Sequence, residues 1–386
     1  MGDCAQWKQA GVTSPGVSRR SGLPLRRKCV RFLKRICTFA RAATVGFLLL
    51  LMVCMHYRPN QYTPEPSLTV EESPVTLLIW THPFGQYRQL PDCLELYQIR
   101  GCALTDDVSA YLEADAVIIH HREIATGSVD LPPEPRPRAQ KWIWMNYESP
   151  SHTPNLVLFE GIFNLTMSYR SDSDIFLPYG YLVPRARKAG GLQSNFAHPL
   201  SLPSYSNRLR YRFVAWVISN WSESHVRVAF FYQLRRYIHI DVFGRAGRPL
   251  PQGSGNVVQL IGGYMFYLAL ENSQHTDYVT EKLWNAVMAG TVPVVLGPSR
   301  QNYERFLPPE AFIHVDDFPT VQELARYLLL LRRDPAKLKR HLDWRGSYSL
   351  HQPFFWDEYY CTACRVVRRT RGKTDVVNEL TPWFIS

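Results

Sequence analysis

Short apolar runs rich in β-branched and aromatic residues recur along this chain in two groups. The first reads VTLLIW (75–80), AVIIH (116–120) and WIWM (142–145); the second reads FVAWVI (213–218), IHIDVF (238–243), VPVVLG (292–297) and AFIHV (311–315). Strands buried on both faces of a parallel sheet have this continuous apolar character. Helical patterns such as EKLWNAVMAG and VQELARYLLLLRR sit between or after them. Residues 185–210 lose the pattern and gain Gly, Ser and Pro, which marks an interdomain linker. The expected architecture is α/β: two doubly wound, Rossmann-like halves facing a cleft, with ligand at the carboxyl ends of the strands.

Charge separates a further segment. The 386 residues carry a formal net charge of +11, but residues 1–41 hold ten Lys or Arg against Asp3 alone, and the other 345 residues carry only +2. A nucleic-acid-binding domain spreads basic residues over its folded face, so that class loses its support. With 46% hydrophobic and 13% aromatic residues, a disordered chain is excluded as well. The basic arm precedes AATVGFLLLLMVCMHY, residues 42–57. Extended back to Ile36, with Arg41 snorkelling, this run reaches the length of a single transmembrane helix. The long preceding arm and the lack of a small-residue cleavage site favour an uncleaved signal-anchor. Basic residues stay cytosolic, so the expected topology is type II with the bulk of the chain luminal. Residues 58–74, with four prolines and no apolar periodicity, read as an extended stem.

The luminal part contains Cys93, Cys102, Cys361 and Cys364. The CxxC at 361–364 has three readings: a redox centre, half a zinc site, or part of a disulfide framework. An oxidising lumen favours disulfides. Of the three pairings, the cross-pairs Cys93–Cys361 and Cys102–Cys364 are favoured, and they would staple the C-terminal tail onto the first half. Sequons at Asn164 and Asn220 suit a luminal chain.

Chemistry-bearing residues concentrate in 264–297, which has no P-loop, G-x-G-x-x-G or Ser-centred elbow. Glu271, Asn272, Asp277, Tyr278, Thr280, Glu281 and Lys282 fall within twelve residues between a strand and a helix. Thr280 is a good N-cap, and a helix N-terminus attracts anions. A Lys there could neutralise a phosphate while the adjacent Glu accepts hydrogen bonds from a ribose. The competing reading is a capped helix with solvated charges, and spacing alone leaves the two even.

This segment closely resembles the signature of the α1,3-fucosyltransferases, glycosyltransferase family ten, of the Lewis type found in vertebrates. The resemblance runs through KWIWMNYESPSHTP (141–154), FNLTMSYRSDSDIFLPYG (163–180), WVISNWSESHVRV (216–228), GPSRQNYERFLPPEAFIHVDDF (297–318) and the FW…CTAC ending (355–364). It implies a GT-B fold and inverting transfer of L-fucose from GDP-β-L-fucose to the 3-hydroxyl of GlcNAc in Galβ1-4GlcNAc chains. The products would be Lewis x and, where sialylated acceptors are taken, its sialyl form. A family member with another glycan acceptor, or an inactive relative that binds GDP-sugar or glycan, is the alternative.

The domains expected are a cytosolic tail (1–35), an anchor (36–57), a stem (58–74), an acceptor-side domain (75–200), a donor domain (201–355) and a tail packing back on the first domain (356–386). By the resemblance, Glu148 is the catalytic base. Arg227 and Lys282 meet the diphosphate with Asn220 nearby, which argues against glycosylation of Asn220. Glu281 contacts the ribose or fucose, and Tyr267, Asn272 and Tyr278 line the donor pocket. Phe84, Gln86, Tyr179 and Trp344 line the acceptor side. Arg122 stands where relatives acting on type 1 chains tend to have Trp, and so points to type 2 chains.

No cofactor is required on this reading and no metal site is assigned; a divalent ion assisting electrostatically is left open. Asp172-Ser173-Asp174 looks like a D-x-D metal motif but belongs to a signature of the first half. Asp316-Asp317 follows a predicted strand and reads as structural. His120-His121 project in different directions from a strand. Some relatives carry a further Cys pair where this chain has Ala215 and Tyr264, so two luminal disulfides are expected. The partners implied are GDP-fucose, N-acetyllactosamine-type glycans on proteins or lipids, and the Golgi membrane, with a homodimer left open.

Overall fold

The computed structural model describes residues 74–185, 212–250, 257–354 and 356–386. The expected cytosolic tail (1–35) and anchor (36–57), all of the expected stem but Pro74 and all of the expected linker but Arg185 lie outside the described residues.

In the first half, β1 (Val75–Ile79), β2 (Cys102–Thr105), β3 (Ala116–His120), β4 (Lys141–Asn146), β5 (Leu165–Ser168) and β6 (Ile175–Phe176) form one parallel sheet in the order β2-β1-β3-β4-β5-β6. Short helices α1 (Cys93–Tyr97) and α2 (His121–Ala125) join them. Every residue of β3 and β4 is buried, which is why these strands read as unbroken apolar runs. Strands β2, β5 and β6 do not announce themselves in this way. In β5 the buried Thr166 is satisfied by Asp174, whose carboxylate accepts both its N–H and its hydroxyl.

The second half begins with β8 (Arg212–Val217), after β7 (Tyr181–Pro184). Then come α3 (Val226–Leu234), β9 (Asp241–Phe243), α4 (Val257–Ile261), β10 (Tyr264–Leu270), α5 (Glu281–Ala289), β11 (Val292–Leu296), α6 (Arg300–Tyr303) and β12 (Ile313–His314). Its strands pair in parallel in the order β12-β11-β10-β8-β9. Two expected strands are shorter than the sequence suggests. Ile238 of IHIDVF still bonds the Leu234 carbonyl at the end of α3, so the strand starts only at Asp241. In AFIHV a capping box built on His314 and Asp317 stops β12 after two residues. Helix α5 ends at Gly290, whose φ of 71° is the left-handed C-cap conformation that glycine accommodates without strain.

Helices α7 (Val321–Arg333) and α8 (Pro335–Asp343) follow, then β13 (Tyr348–His351), which pairs antiparallel with β7. The chain then returns to the first half. Helix α9 (Asp357–Arg369) buries Tyr359, Tyr360, Cys361, Ala363, Cys364, Val366 and Val367 in the core that also contains β1, β3 and β4. Disulfides join Cys93 to Cys361 and Cys102 to Cys364 across this contact. Helix α10 (Leu380–Ile385) places Phe384 against Trp144, ring centroids 4.8 Å apart. Among the described residues no helix is long and apolar enough to cross a membrane.

Candidate active site

In each sheet the chain leaves one strand to the left and a later one to the right, and the crevice at that switch is where open α/β sheets bind ligands. In the first sheet the switch lies between β1 and β3. The loop after β1 carries Phe84 and Gln86; the turn after β3 carries Arg122 and Glu123. Phe84 adopts φ 60°, an uncommon conformation for a bulky side chain, and its N–H is held by the Glu123 carboxylate at 2.9 Å. The Arg122 guanidinium stacks over the Phe84 ring at 5.0 Å, and His120 and Trp356 pack beside the same ring. Gln86 is exposed on the same loop. Trp356 was not singled out from sequence; the available signal was the FW pair in the tail and the expected stapling of that tail to the first half.

Glu148 follows β4 on a short loop held from many sides. Asn146 accepts the Glu148 N–H and donates to Thr153 Oγ1, which in turn donates to the Ser149 carbonyl. The buried His121 fixes the far end of the loop. Its Nδ1 accepts the Trp144 indole N–H, so its Nε2 carries the proton and donates to the Pro154 carbonyl at 2.8 Å. Burial pushes the His121 imidazole down to about 4, which keeps it in this neutral tautomer.

In the second sheet the switch lies between β8 and β10. Arg227, in the first turn of α3, is 4% exposed. Its Nη2 donates to the Asn220 carbonyl at 2.6 Å, and its Nε–H is buried with no partner among the described residues. Burial disfavours its charge, and the nearby Glu271 and Glu281 favour it. The Asn220 side chain itself is exposed.

Glu271 continues β10 and is fully buried. Its carboxylate accepts the Thr280 N–H and hydroxyl and lies 2.9 Å from Lys282 Nζ, which is also 3.2 Å from Glu281 Oε1. Burial raises the Glu271 carboxyl, while the two carboxylates hold Lys282 above its ordinary value. One expectation changes here. Thr280 occupies the N-cap position of α5, but its hydroxyl turns to Glu271 and Lys282 rather than capping the helix. Lys282 stands in the first turn of α5, as expected, and two carboxylates hold it there. The role of Glu271 as its buried anchor was missed, because it depends on a partner eleven residues away.

Tyr278 joins the two groups. Burial raises its hydroxyl, and Glu271 and Glu281 of the second half and Glu148 of the first lie close enough to raise it further. Asn272 lies near that hydroxyl, and Tyr267 lies buried beside Glu281 and Lys282. Tyr179, half-buried, is near Tyr278, Glu281 and Glu148. Trp344 is 6% exposed, donates its indole N–H to the His341 carbonyl, and packs in the second-half apolar cluster that Tyr179 also touches.

The rejected metal motifs have other partners. Asp172 accepts from Arg170 Nε and Nη2, one edge of the guanidinium, Asp174 holds Thr166, and Asp317 pairs with Arg300. No group of three or more His, Cys, Asp or Glu is arranged to hold a metal among the described residues. At the sequons, Asn164 Nδ2 donates to the Asp375 carbonyl and its Oδ1 accepts the Trp142 N–H.

The second half thus places the buried Arg227 near Glu271 and Glu281, the partners of Lys282 at the start of α5, and Tyr278 lies near both these carboxylates and Glu148 of the first half. The family follows from comparison with known proteins. Residues 207–383 match the glycosyltransferase family 10 (fucosyltransferase) C-terminal model, and residues 72–180 match the fucosyltransferase N-terminal model. Human alpha-(1,3)-fucosyltransferase 4 is 42% identical over 90% of this chain and 71% of its own. Human 4-galactosyl-N-acetylglucosaminide 3-alpha-L-fucosyltransferase FUT6 is 44% identical over 88% and 95%. A solved α1,3-fucosyltransferase shares the fold, with TM-score 0.51 and 18% identity over 81% of this chain and 94% of that one. The chain belongs to glycosyltransferase family 10, the fucosyltransferases.

Proposed function

We propose that this protein transfers L-fucose from GDP-β-L-fucose to the 3-hydroxyl of GlcNAc in Galβ1-4GlcNAc chains, with inversion. The observation that carries the reading is Arg227: a buried guanidinium whose Nε–H has no partner among the described residues, at the switch point of the second sheet, beside the Lys282 cluster. A buried donor without a partner is costly unless a ligand completes it. A nucleoside diphosphate fits, because Arg227 and Lys282 offset its charge as the bond to the sugar breaks.

In the reaction the acceptor oxygen attacks C1 of fucose as the C1–O bond to GDP breaks, its electrons leaving with GDP. Glu148 takes the acceptor's proton. One base suffices for a single displacement, so a β-linked donor gives an α-linked product. Glu281 serves the ribose or fucose, and Tyr267, Asn272 and Tyr278 shape the pocket. Phe84, Gln86, Tyr179 and Trp344 face the acceptor, and Arg122 stacked on Phe84 favours type 2 chains. A sugar's apolar face against aromatic rings supports this side of the cleft. We assign residues 75–200 to the acceptor and 201–355 to the donor, and place the chain in the Golgi membrane as a type II protein anchored by residues 36–57.

The test uses the full chain in detergent with GDP-fucose and N-acetyllactosamine, sialylated and not. Wild type should give an α1,3-linked product, and Glu148→Gln should abolish transfer while GDP binding persists. Near-normal turnover by Glu148→Gln would remove Glu148 as the base. GDP binding without transfer by wild type would point to another acceptor or a binding role.

A further inference from the structure

Between β10 and α5 the chain does something its order in sequence does not suggest. After Glu271 it leaves the second half, makes three successive contacts with the first half, and returns to start α5 at Glu281. His275 Nε2 lies 2.8 Å from Ser151 Oγ, three residues beyond Glu148. Asp277 Oδ2 accepts the Ser171 N–H at 2.9 Å. The Tyr278 ring packs against Tyr169, centroids 5.1 Å apart, and belongs to the first-half core.

Asp277 is the most constrained of the three. It is 2% exposed with φ +61°, a conformation that costs a residue with a Cβ free energy unless its surroundings hold it there. They do so from both halves. Besides Ser171, the carboxylate accepts Arg305 Nη1 at 3.0 Å and Asn302 Nδ2 at 2.6 Å, and the Asp277 N–H donates to Asn302 Oδ1. Arg305 also reaches Ser171 Oγ, closing the ring of contacts. The left-handed turn aims the next residue, Tyr278, at the point shared by Glu148, Glu271 and Glu281.

We infer that Asp277 is a positioning residue: by tying Ser171 of the first half to Arg305 and Asn302 of the second, it sets the placement of the Glu148 loop relative to the Arg227–Lys282 donor site. The inference rests on the proposed fucosyl transfer for its kinetic consequence, but not for its structural one. Displacement of a base by about 1 Å lowers a rate by roughly 100-fold without altering ground-state binding of the other substrate.

The experiment compares wild type with Asp277→Ala, Asp277→Asn and Arg305→Ala, all full-length, below their unfolding temperatures. Asp277→Ala should lower kcat by about 100-fold with the GDP Kd unchanged. Asp277→Asn tolerates the positive φ and still accepts the Ser171 N–H, but its NH2 then faces the Asn302 and Arg305 donors, so it cuts the tie to the second half and should also lower kcat with the GDP Kd unchanged. The half-exposed Arg305 tolerates replacement, so Arg305→Ala stays readable if Asp277→Ala does not fold, and should lower kcat in the same manner. Amide exchange gives a second readout. GDP should slow exchange in residues 147–154 of wild type and not of the variants. Wild-type kcat in folded Arg305→Ala and Asp277→Asn overturns the inference, as does GDP affinity falling in step with kcat. No GDP effect on residues 147–154 in wild type overturns it too, whatever the turnover. Failure of wild type to transfer fucose with that GDP effect intact would sink the proposed reaction instead.

Discussion

Gly180, just before β7, lies so close to Trp284 of α5 that a Cβ added there would sit 2.6 Å from the indole ring. Trp284 is fully buried and has no room to retreat. The contact joins the PYG loop of the first half to the helix whose first turn carries Glu281 and Lys282. Gly180→Ala therefore overpacks the junction itself. It should destabilise the fold by about 1–3 kcal/mol, seen as a lower midpoint in urea. It should also weaken GDP binding, because relief of the clash displaces α5. Unchanged stability would mean that the halves separate there without cost.

Arg227→Lys keeps a positive charge but loses the planar fork that bonds the Asn220 carbonyl and presents the free Nε–H. If that donor meets the diphosphate, calorimetry should show GDP binding weakened by about 1.5–3 kcal/mol. An unchanged GDP Kd in the folded variant would remove Arg227 from the donor site.

Much of this frame was readable because buried parallel strands are apolar throughout, as β3, β4 and β11 are. Strand β5 was hidden because Thr166 can be polar and buried once Asp174 satisfies it. The charged site residues Glu148, Arg227, Glu281 and Lys282 stood out through motifs. Glu271, Asp277 and His121 were visible as residues, but what they do was not. Their roles consist of partners brought near by folding: Lys282 for Glu271, Ser171 for Asp277, Trp144 and Pro154 for His121. A carboxylate in a polar loop looks the same in sequence whether it is solvated or clamps two halves together.

The two disulfides close almost the same loop, with separations of 268 and 262 residues. Once one is formed, the other closes only a loop of roughly 15 residues, made of the short stretches 93–102 and 361–364, worth about 3 kcal/mol in the chain-entropy account. Losing both also frees the long loop, worth about 6 kcal/mol more. Replacing one pair by Ser should thus cost about 3 kcal/mol, and replacing both more than twice as much. Equal, additive losses in urea denaturation would refute the nested-loop argument.

His121 supplies a pH dependence whose sign follows from its burial. Unfolded, the imidazole titrates near 6.5; folded, it is pushed down to about 4. Between those values the unfolded chain binds a proton that the folded chain does not, so stability rises with pH across that window. The contribution is complete above about pH 6.5, falls by about 3 kcal/mol as the pH drops to 4, and is gone below that. Protonation would also place a second proton on Nδ1, which accepts the Trp144 N–H, and so break the contact that orients the loop end at Pro154. His121→Phe does not titrate. It leaves the Trp144 N–H and the Pro154 carbonyl without this partner at every pH, so it should be less stable than wild type at pH 7. The difference between the two should shrink by about 3 kcal/mol as the pH falls from 7 to 4. Urea titrations of both proteins across this range measure that difference directly. A gap that stays constant with pH would show that His121 is no more depressed in the folded chain than in the unfolded one.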